Sequence, residues 1–256
     1  MQVLRADNSL IRFLLGTRYI RVGARKLIPD YVTTVPGGIR LRVRSADTGT
    51  SYMVKEIYYK NIYERFYKAK EGDMVLDIGA NIGAFSLKMS KLVGEQGRVL
   101  AVEPESTNFN LLMTNMKMNH CKNILPIKTA LGERPGTAFL NVYKKHGRTS
   151  FFARAMESVE RQEEVSIRTL DELTSELCLS QISLVKVDTE GYELKALQGG
   201  KETIRKLKPK IVGEAHPHIS DSAAIILRYL GESGYDGVIF LQDPGYEEIF
   251  YAWPRD

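Results

Sequence analysis

The chain of 256 residues has only two cysteines, Cys121 and Cys178. They lie far apart and share no metal-ligand spacing, so neither a zinc site nor a disulfide framework is expected, and a reducing, cytoplasmic setting fits best. No apolar run approaches the ~20 residues that cross a bilayer. Residues 1–26 lack the form of a secretory leader, because Arg12 interrupts the apolar run and no small-residue cleavage site follows. Hydrophobic residues at 43% and charged residues at 26% match ordinary globular chains, which argues against disorder. A chain this long can bury the core of one large α/β domain with an appendage.

Acidic residues are almost missing from the first 26 positions. Six bases (Arg5, Arg12, Arg18, Arg21, Arg25, Lys26) face one acid (Asp7) there, and this +5 equals the net charge of the whole chain. The remainder is neutral, which disfavours a nucleic-acid partner. Leu10, Phe13 and Leu14 recur at helical spacing, so the segment reads as a basic amphipathic helix. Packing on its own domain with a solvated basic face is the simpler role; peripheral contact with an anionic membrane is the alternative.

Between positions 31 and 59 the alternation IRLRV and the turn Pro36-Gly37-Gly38 indicate a small β appendage. The spacing of Ile57, Ile62 and Phe66 predicts a helix over 54–69. We expect an N-terminal part over 1–60 and a main domain over 61–256. From Met74 onward, short β-branched runs alternate with amphipathic ones, as in a parallel sheet covered by helices. Strands are expected at 74–78, 98–103, 124–127, 183–188 and 211–214. Helices are expected at 85–93, 107–118, 190–198 with a continuation through 207, and 221–233. Two last strands, 237–241 and 248–253, form a hairpin around Asp243-Pro244-Gly245 that adds an antiparallel strand at or near the sheet edge. The segment from about 137 to 168 breaks this rhythm. Its runs TAFLNVY and EVSIRTL flank a polar stretch, and His146, Arg148 and Arg154 with Phe151 and Phe152 are candidates to meet an acceptor, or else form a solvated loop.

The chemistry concentrates in MVLDIGANIGAF, residues 74–85. A strand runs into Asp77-Ile78-Gly79-Ala80-Asn81-Ile82-Gly83 and a helix follows. Glycines at such a turn let the backbone approach a ligand. A dinucleotide fingerprint would read G-x-G-x-x-G; Asn81 occupies the place of its second glycine, and Asp77 puts a negative charge where a pyrophosphate would be repelled. A cationic ligand without phosphate fits better, and S-adenosylmethionine is such a ligand. Glu103 ends the next strand, where a carboxylate can accept from two ribose hydroxyls, and Pro104 follows it.

Further segments resemble the FkbM family of S-adenosylmethionine-dependent methyltransferases. They are Glu103-Pro104-Glu105-Ser106-Thr107-Asn108-Phe109 with Asn115, then Ala130-Leu131-Gly132, then TLDEL at 169–173 with LVKVDTEGYE at 184–193, then 211–216. The resemblance implies a Rossmann-like α/β fold: a seven-stranded, mostly parallel sheet with helices on both faces and an antiparallel C-terminal strand. It implies that S-adenosylmethionine meets Asp77, Gly79, Ala80, Asn81, Gly83 and Phe85 in the first loop. Glu103, Pro104, Asn108 and Ala130 would meet it from the next two strands, and Asp188 and Glu190 from the strand across the crevice. It also implies O-methylation of a hydroxyl on a small metabolite, a sugar or a glycan.

An alcohol acceptor needs a base beside it. The candidates for catalysis are His216, Asp188, Glu214 and Lys186, with His216 preferred because a neutral imidazole works at physiological pH. No spacing calls for a metal, although Asp188, Glu190 and Glu214 are hard oxygen donors. The competing readings are a nucleic-acid methyltransferase, which the missing Asn-Pro-Pro-aromatic motif disfavours, and a non-catalytic cofactor-binding module.

Overall fold

The computed structural model describes residues 30–44, 49–143, 149–152, 158–243 and 247–255. The basic helix expected within 1–26, the residues His146, Arg148 and Arg154, and the centre of the last turn lie outside the described residues.

Tyr31–Val35 (β1) and Ile39–Val43 (β2) pair antiparallel around Pro36–Gly38. In IRLRV the three apolar side chains are buried and Arg40 is exposed, the two-residue period of a half-buried strand. Gly49–Val54 (α1) continues into a π-helical stretch, Lys55–Lys60. Asn61 then adopts φ 52 and ends it, and Ile62–Glu64 forms one short turn. The helix expected through position 69 therefore stops early. A left-handed residue cannot continue a right-handed helix, and the break re-aims Tyr63.

The main sheet has seven strands: Met74–Ile78 (β3), Arg98–Val102 (β4), Ile124–Ile127 (β5), Leu184–Val187 (β10), Lys210–Ala215 (β11), Tyr235–Asp243 (β12) and Glu247–Pro254 (β13). Their order is β12-β13-β11-β10-β3-β4-β5, and only β13 runs against its neighbours. The expected antiparallel strand is thus present, one place in from the edge. The central strands read as near-continuous apolar runs because helices cover both of their faces. Val75, Val99, Leu184 and Val212 pack with Ala84–Val93 (α2), Ser106–Met118 (α3) and the β1–β2 hairpin. Leu76, Leu100, Val185 and Ile211 face the other layer, Leu170–Glu176 (α4), Glu193–Gln198 (α5), Lys201–Leu207 (α6) and Ala223–Glu232 (α7). The helix expected to run from 190 through 207 is two helices, parted at Gly199-Gly200.

A smaller sheet holds Ala130–Leu131 (β6), Gly136–Tyr143 (β7), Thr149–Ser150 (β8) and Val159–Arg168 (β9), in the order β6-β9-β7-β8. The insertion is therefore a long β7–β9 hairpin. It is pinned to the start of α3 by an Arg161–Glu105 ion pair and by Glu163, which accepts from Ser106 N at 3.1 Å. Asn115, wholly buried in α3, donates to Ile82 O at 2.9 Å and accepts from Arg42 N at 2.7 Å, tying the β1–β2 hairpin and the glycine loop to one helix. Buried amides need such partners, and these fix the loop in space. Among the described residues no helix is long and apolar enough to cross a membrane.

Candidate active site

The strand that follows β3 in sequence, β4, lies on one side of it, and β10, much later in the chain, lies on the other. Strand order reverses there, so a crevice opens at the carboxyl ends of β3 and β10. It is a cleft of about 350 Å³.

The glycine loop forms its floor. Gly79 and Ala80 donate their N–H groups to Val102 O at 3.0 and 2.9 Å, which folds the loop back over β4. Gly79 has φ 80, and a Cβ on it would lie 1.8 Å from the carbonyl oxygen of Asp188. Only glycine fits there, because the tips of β3 and β10 come together at that point. Gly83, at φ 86, opens α2 against Leu112, whose Cδ1 would be 2.5 Å from an added Cβ.

Of the expected cofactor contacts, Gly79, Ala80, Asn81 and Phe85 border the cleft, as do Glu103, Pro104, Asn108 and Ala130, and Asp188 and Glu190 opposite. Asp77 and Gly83 do not. Asp77 is fully buried, because strand alternation turns its side chain under α2, where Ser86 Oγ donates to it at 2.6 Å and Lys186 Nζ lies 3.2 Å away. It acts on the cleft only through Lys186.

Glu103 is 4% exposed. One oxygen accepts from Asn81 N at 2.8 Å and the other from Glu105 N at 3.0 Å. Burial nevertheless outweighs these donors and pushes its carboxyl up to about 7.

Lys186 joins both sides of the crevice, donating to Gly79 O at 2.8 Å and lying 3.5 Å from Asp188 Oδ2. Burial alone would pull the ammonium down, but the Asp77 and Asp188 carboxylates outweigh it and hold it up at about 12. Lys186 is thus a cation placed between the acids, and at neutral pH it stays protonated and cannot act as a base. Asp188 is a quarter exposed and faces the cleft. Tyr63 spans it and Glu214, its hydroxyl 3.2 Å from Asp188 Oδ2 and 3.0 Å from Glu214 Oε2. Burial and the two carboxylates drive the Tyr63 phenol well above its usual range, so it keeps its proton.

His216, the preferred base of the sequence reading, lies apart from the other candidates. It does not border the cleft, and it sits buried with Nδ1 3.2 Å from Glu193 Oε1 and Nε2 3.5 Å from Glu190 Oε2. Burial disfavours the imidazolium, but Glu193 and Glu190 outweigh it and raise the ring well above its ordinary value. A protonated imidazole has no lone pair for an acceptor's proton, and the ring bridges Glu190 and Glu193. Glu193 Oε1 also accepts from Thr189 N at 2.8 Å and Gly191 N at 3.0 Å. These bonds shape the DTEGYE turn and hold Glu190 at φ 55, a left-handed conformation uncommon outside glycine. Asp188, Glu193 and His216 offer ligand atoms within 4.8 Å of one another, but Glu193 Oε1 is already saturated with donors, which makes the trio a poor metal site.

The sequence reading missed Tyr63, Glu56, Tyr52, Met53 and Ile57, which line the cleft from the segment before β3, and Tyr192, whose ring packs tilted against Phe151 with centroids 4.6 Å apart. The row YYKNIYERFY offers many aromatics at helical spacing, and nothing in it marks one as facing a ligand. Among the described lining residues five acids (Glu56, Glu103, Asp188, Glu190, Glu214) face one cation, Lys186. Such a donor set suits a ligand with positive charge and hydroxyl groups and repels phosphate.

Comparison with known proteins agrees with this geometry. The chain is 25% identical over 173 residues to Methyltransferase 1 of Beauveria bassiana, covering 60% of this chain and 69% of that one. It is 25% identical over 147 residues to the hexuronic acid methyltransferase AglP of Haloferax volcanii, covering 57% of each. The crystal structure of a methyltransferase FkbM from Methylobacillus flagellatus superimposes with a TM-score of 0.54 at 18% identity, over 78% of this chain. This chain spans about half of that one, 47% of its length, and the likeness shows a shared fold. The methyltransferase FkbM domain model matches residues 77–236, more than half the chain, and the protein therefore belongs to the FkbM family of S-adenosylmethionine-dependent methyltransferases.

Proposed function

We propose that the protein methylates a hydroxyl oxygen of a small metabolite or sugar, with Asp188 as the base that receives the hydroxyl proton. The observation that carries this reading is the placement of Asp188. It is a partly exposed carboxylate at the switch point of the sheet, held by Lys186 and Tyr63 and facing the same cleft as the glycine loop.

The residues present fit S-adenosylmethionine. Gly79 leaves no room for a side chain between the two strand tips, and Glu103 presents a carboxylate to a ligand's hydroxyls where β4 ends. Gly79, Ala80, Asn81 and Phe85 would hold the cofactor from below and Pro104, Asn108 and Ala130 from the side. Bound there, S-adenosylmethionine supplies a methyl group on a cationic sulfonium, ready for in-line displacement. The acids of the cleft stabilise that charge, and Tyr52, Met53 and Ile57 along the cleft wall limit water. Asp188 accepts the proton, because carboxylates placed at the acceptor oxygen raise its nucleophilicity as attack proceeds. Glu190 and Glu214 offer further acceptors to a polyhydroxylated ligand, and the Phe151–Tyr192 pair offers an apolar face. The hexuronic acid acceptor named for the Haloferax relative supports a carbohydrate hydroxyl.

The test is incorporation of labelled methyl from S-adenosylmethionine into a metabolite and glycan extract, followed by the same assay with Asp188→Asn. Label on oxygen, with turnover lowered by about 10²–10⁴ in the variant, is expected. Full turnover by Asp188→Asn would remove Asp188 as the base.

A further inference from the structure

The π-helical stretch Lys55–Lys60 ends on Asn61 at φ 52, and this left-handed residue turns its N–H back to Glu56 O. Ile57 O is thereby left without the Asn61 N–H that an α-helix would give it, and a buried carbonyl needs another donor. Lys88 of α2 supplies it. Its Nζ donates to Ile57 O at 2.7 Å and to Asn61 Oδ1 at 2.6 Å, and it pairs with Glu64 Oε2. An ammonium has three N–H groups, and three acceptors receive them here. Burial pulls Lys88 down to about 8, so at neutral pH it is still charged.

The same segment is seated on α2 at two further points. Tyr58 Oη donates to Ala84 O at 2.7 Å, and the Tyr63 ring meets Phe85 edge-on with centroids 5.5 Å apart. Ala84, Phe85 and Lys88 share one face of α2, since residues three and four apart on a helix are neighbours. The two side-chain acceptors of Lys88, on Asn61 and Glu64, bracket Tyr63 in the chain. Tyr63 in turn reaches Asp188 Oδ2 at 3.2 Å and Glu214 Oε2 at 3.0 Å.

We propose that Lys88 is a positioning residue for methyl transfer: it clasps the segment 57–64 to α2, and so sets where Tyr63 meets Asp188 and where Ile57 lines the cleft. Lys88 does not itself border the cleft. It acts through Asn61, Glu64 and the backbone between them. All three of its acceptors lie outside residues 77–236, so the clasp joins the family domain to the segment that precedes it. The inference rests on Asp188 being the base of the reaction proposed above.

The clasp acts on the side of the cleft that holds Asp188 and leaves the cofactor loop to other bonds. Gly79 and Ala80 are held by Val102 O, Asn81 by Glu103, and Ile82 O by Asn115. Removing Lys88 therefore loosens the segment while these bonds stand. A misplacement of about 1 Å, even one caused far from the chemistry, lowers turnover by about 10²-fold. The single tryptophan, Trp253, reports how the segment is seated, because Phe66, two residues after Glu64, stacks on it with centroids 5.9 Å apart.

The experiment compares wild type with Lys88→Met and with Lys88→Met/Glu64→Gln, the second of which strands no carboxylate and so folds where the single variant is destabilised. Three readouts are taken on the full chain: calorimetric affinity for S-adenosylhomocysteine, labelled methyl incorporation into the metabolite and glycan extract at saturating S-adenosylmethionine, and Trp253 emission. We expect both variants to bind S-adenosylhomocysteine within about threefold of wild type, to turn over about 10²-fold more slowly, and to show red-shifted emission. Full turnover by either variant would overturn the proposal. So would an affinity that falls in step with turnover, which marks a general loss of structure, or an emission that does not shift. A wild type that binds both ligands but transfers no label would refute the hydroxyl acceptor instead, and the emission shift would then decide the clasp by itself.

Discussion

Replacing Lys186 with methionine removes the one cation between two acids of the crevice while keeping an unbranched side chain of similar length. Asp77 is wholly buried and would be left with Ser86 as its single side-chain donor, and Gly79 O would lose its 2.8 Å partner. Removing one member of a buried ion pair costs about 3–5 kcal/mol, because the remaining charge is stranded. At roughly 2–4 °C per kcal/mol for a chain of this size, the melting temperature should fall by about 6–20 °C. The pH dependence has a defined sign. Burial raises the Asp77 carboxyl even with Lys186 present, and removing the ammonium raises it further. An acid with a raised folded-state value loses stability as pH climbs through that value, so the deficit should be smaller at about pH 5 than at pH 8. Lys186 itself, held at about 12, contributes stability that is fully present below its unfolded value near 10.4 and is lost only as pH rises through about 12. The assay is urea unfolding of wild type, Lys186→Met, Asp77→Asn and the double variant. The double variant should be more stable than Lys186→Met, because no charge is stranded. A loss under about 1 kcal/mol, or a double variant no more stable than Lys186→Met, would refute the ion-pair account.

Gly79→Ala places a Cβ 1.8 Å from Asp188 O at φ 80, so it should abolish S-adenosylmethionine binding and lower the melting temperature; normal calorimetric affinity would contradict the close approach. Glu103, raised by burial to about 7, should make S-adenosylhomocysteine affinity fall about tenfold from pH 8 to pH 6, with Glu103→Gln flattening the profile. His216→Ala should impair folding or turnover without deleting the pH limb of a base, because its imidazolium is fixed between Glu190 and Glu193; loss of an ionisation near 6.5 from the pH–rate profile would restore it as the base. Thr169→Ala removes the capping box with Glu172 and should cost about 1 kcal/mol in urea unfolding; an unchanged midpoint would mean the cap is not needed.

The sequence by itself determined the sheet and its ligand loop. Runs such as MVLDI, RVLAV and LVKV are apolar throughout because helices cover both faces of the central strands, and that is a local property of each run. Gly79 and Gly83 read as turn residues because backbone conformation is also written locally, and both adopt positive φ. Acidic Asp77 pointed toward a cation, and the cleft does carry an excess of acids, though Asp77 itself stands behind Lys186. Other features were decided only by packing. Strand alternation and the seat of α2 bury Asp77, Glu190 and Glu193 close on His216 and keep it charged, and Asn61 breaks a helix so that Tyr63 turns into the crevice. None of these follows from spacing along the chain, since each depends on groups up to 151 residues apart, as between Tyr63 and Glu214. A titratable group takes its protonation state from its neighbours in space, and those neighbours exist only once the chain has folded.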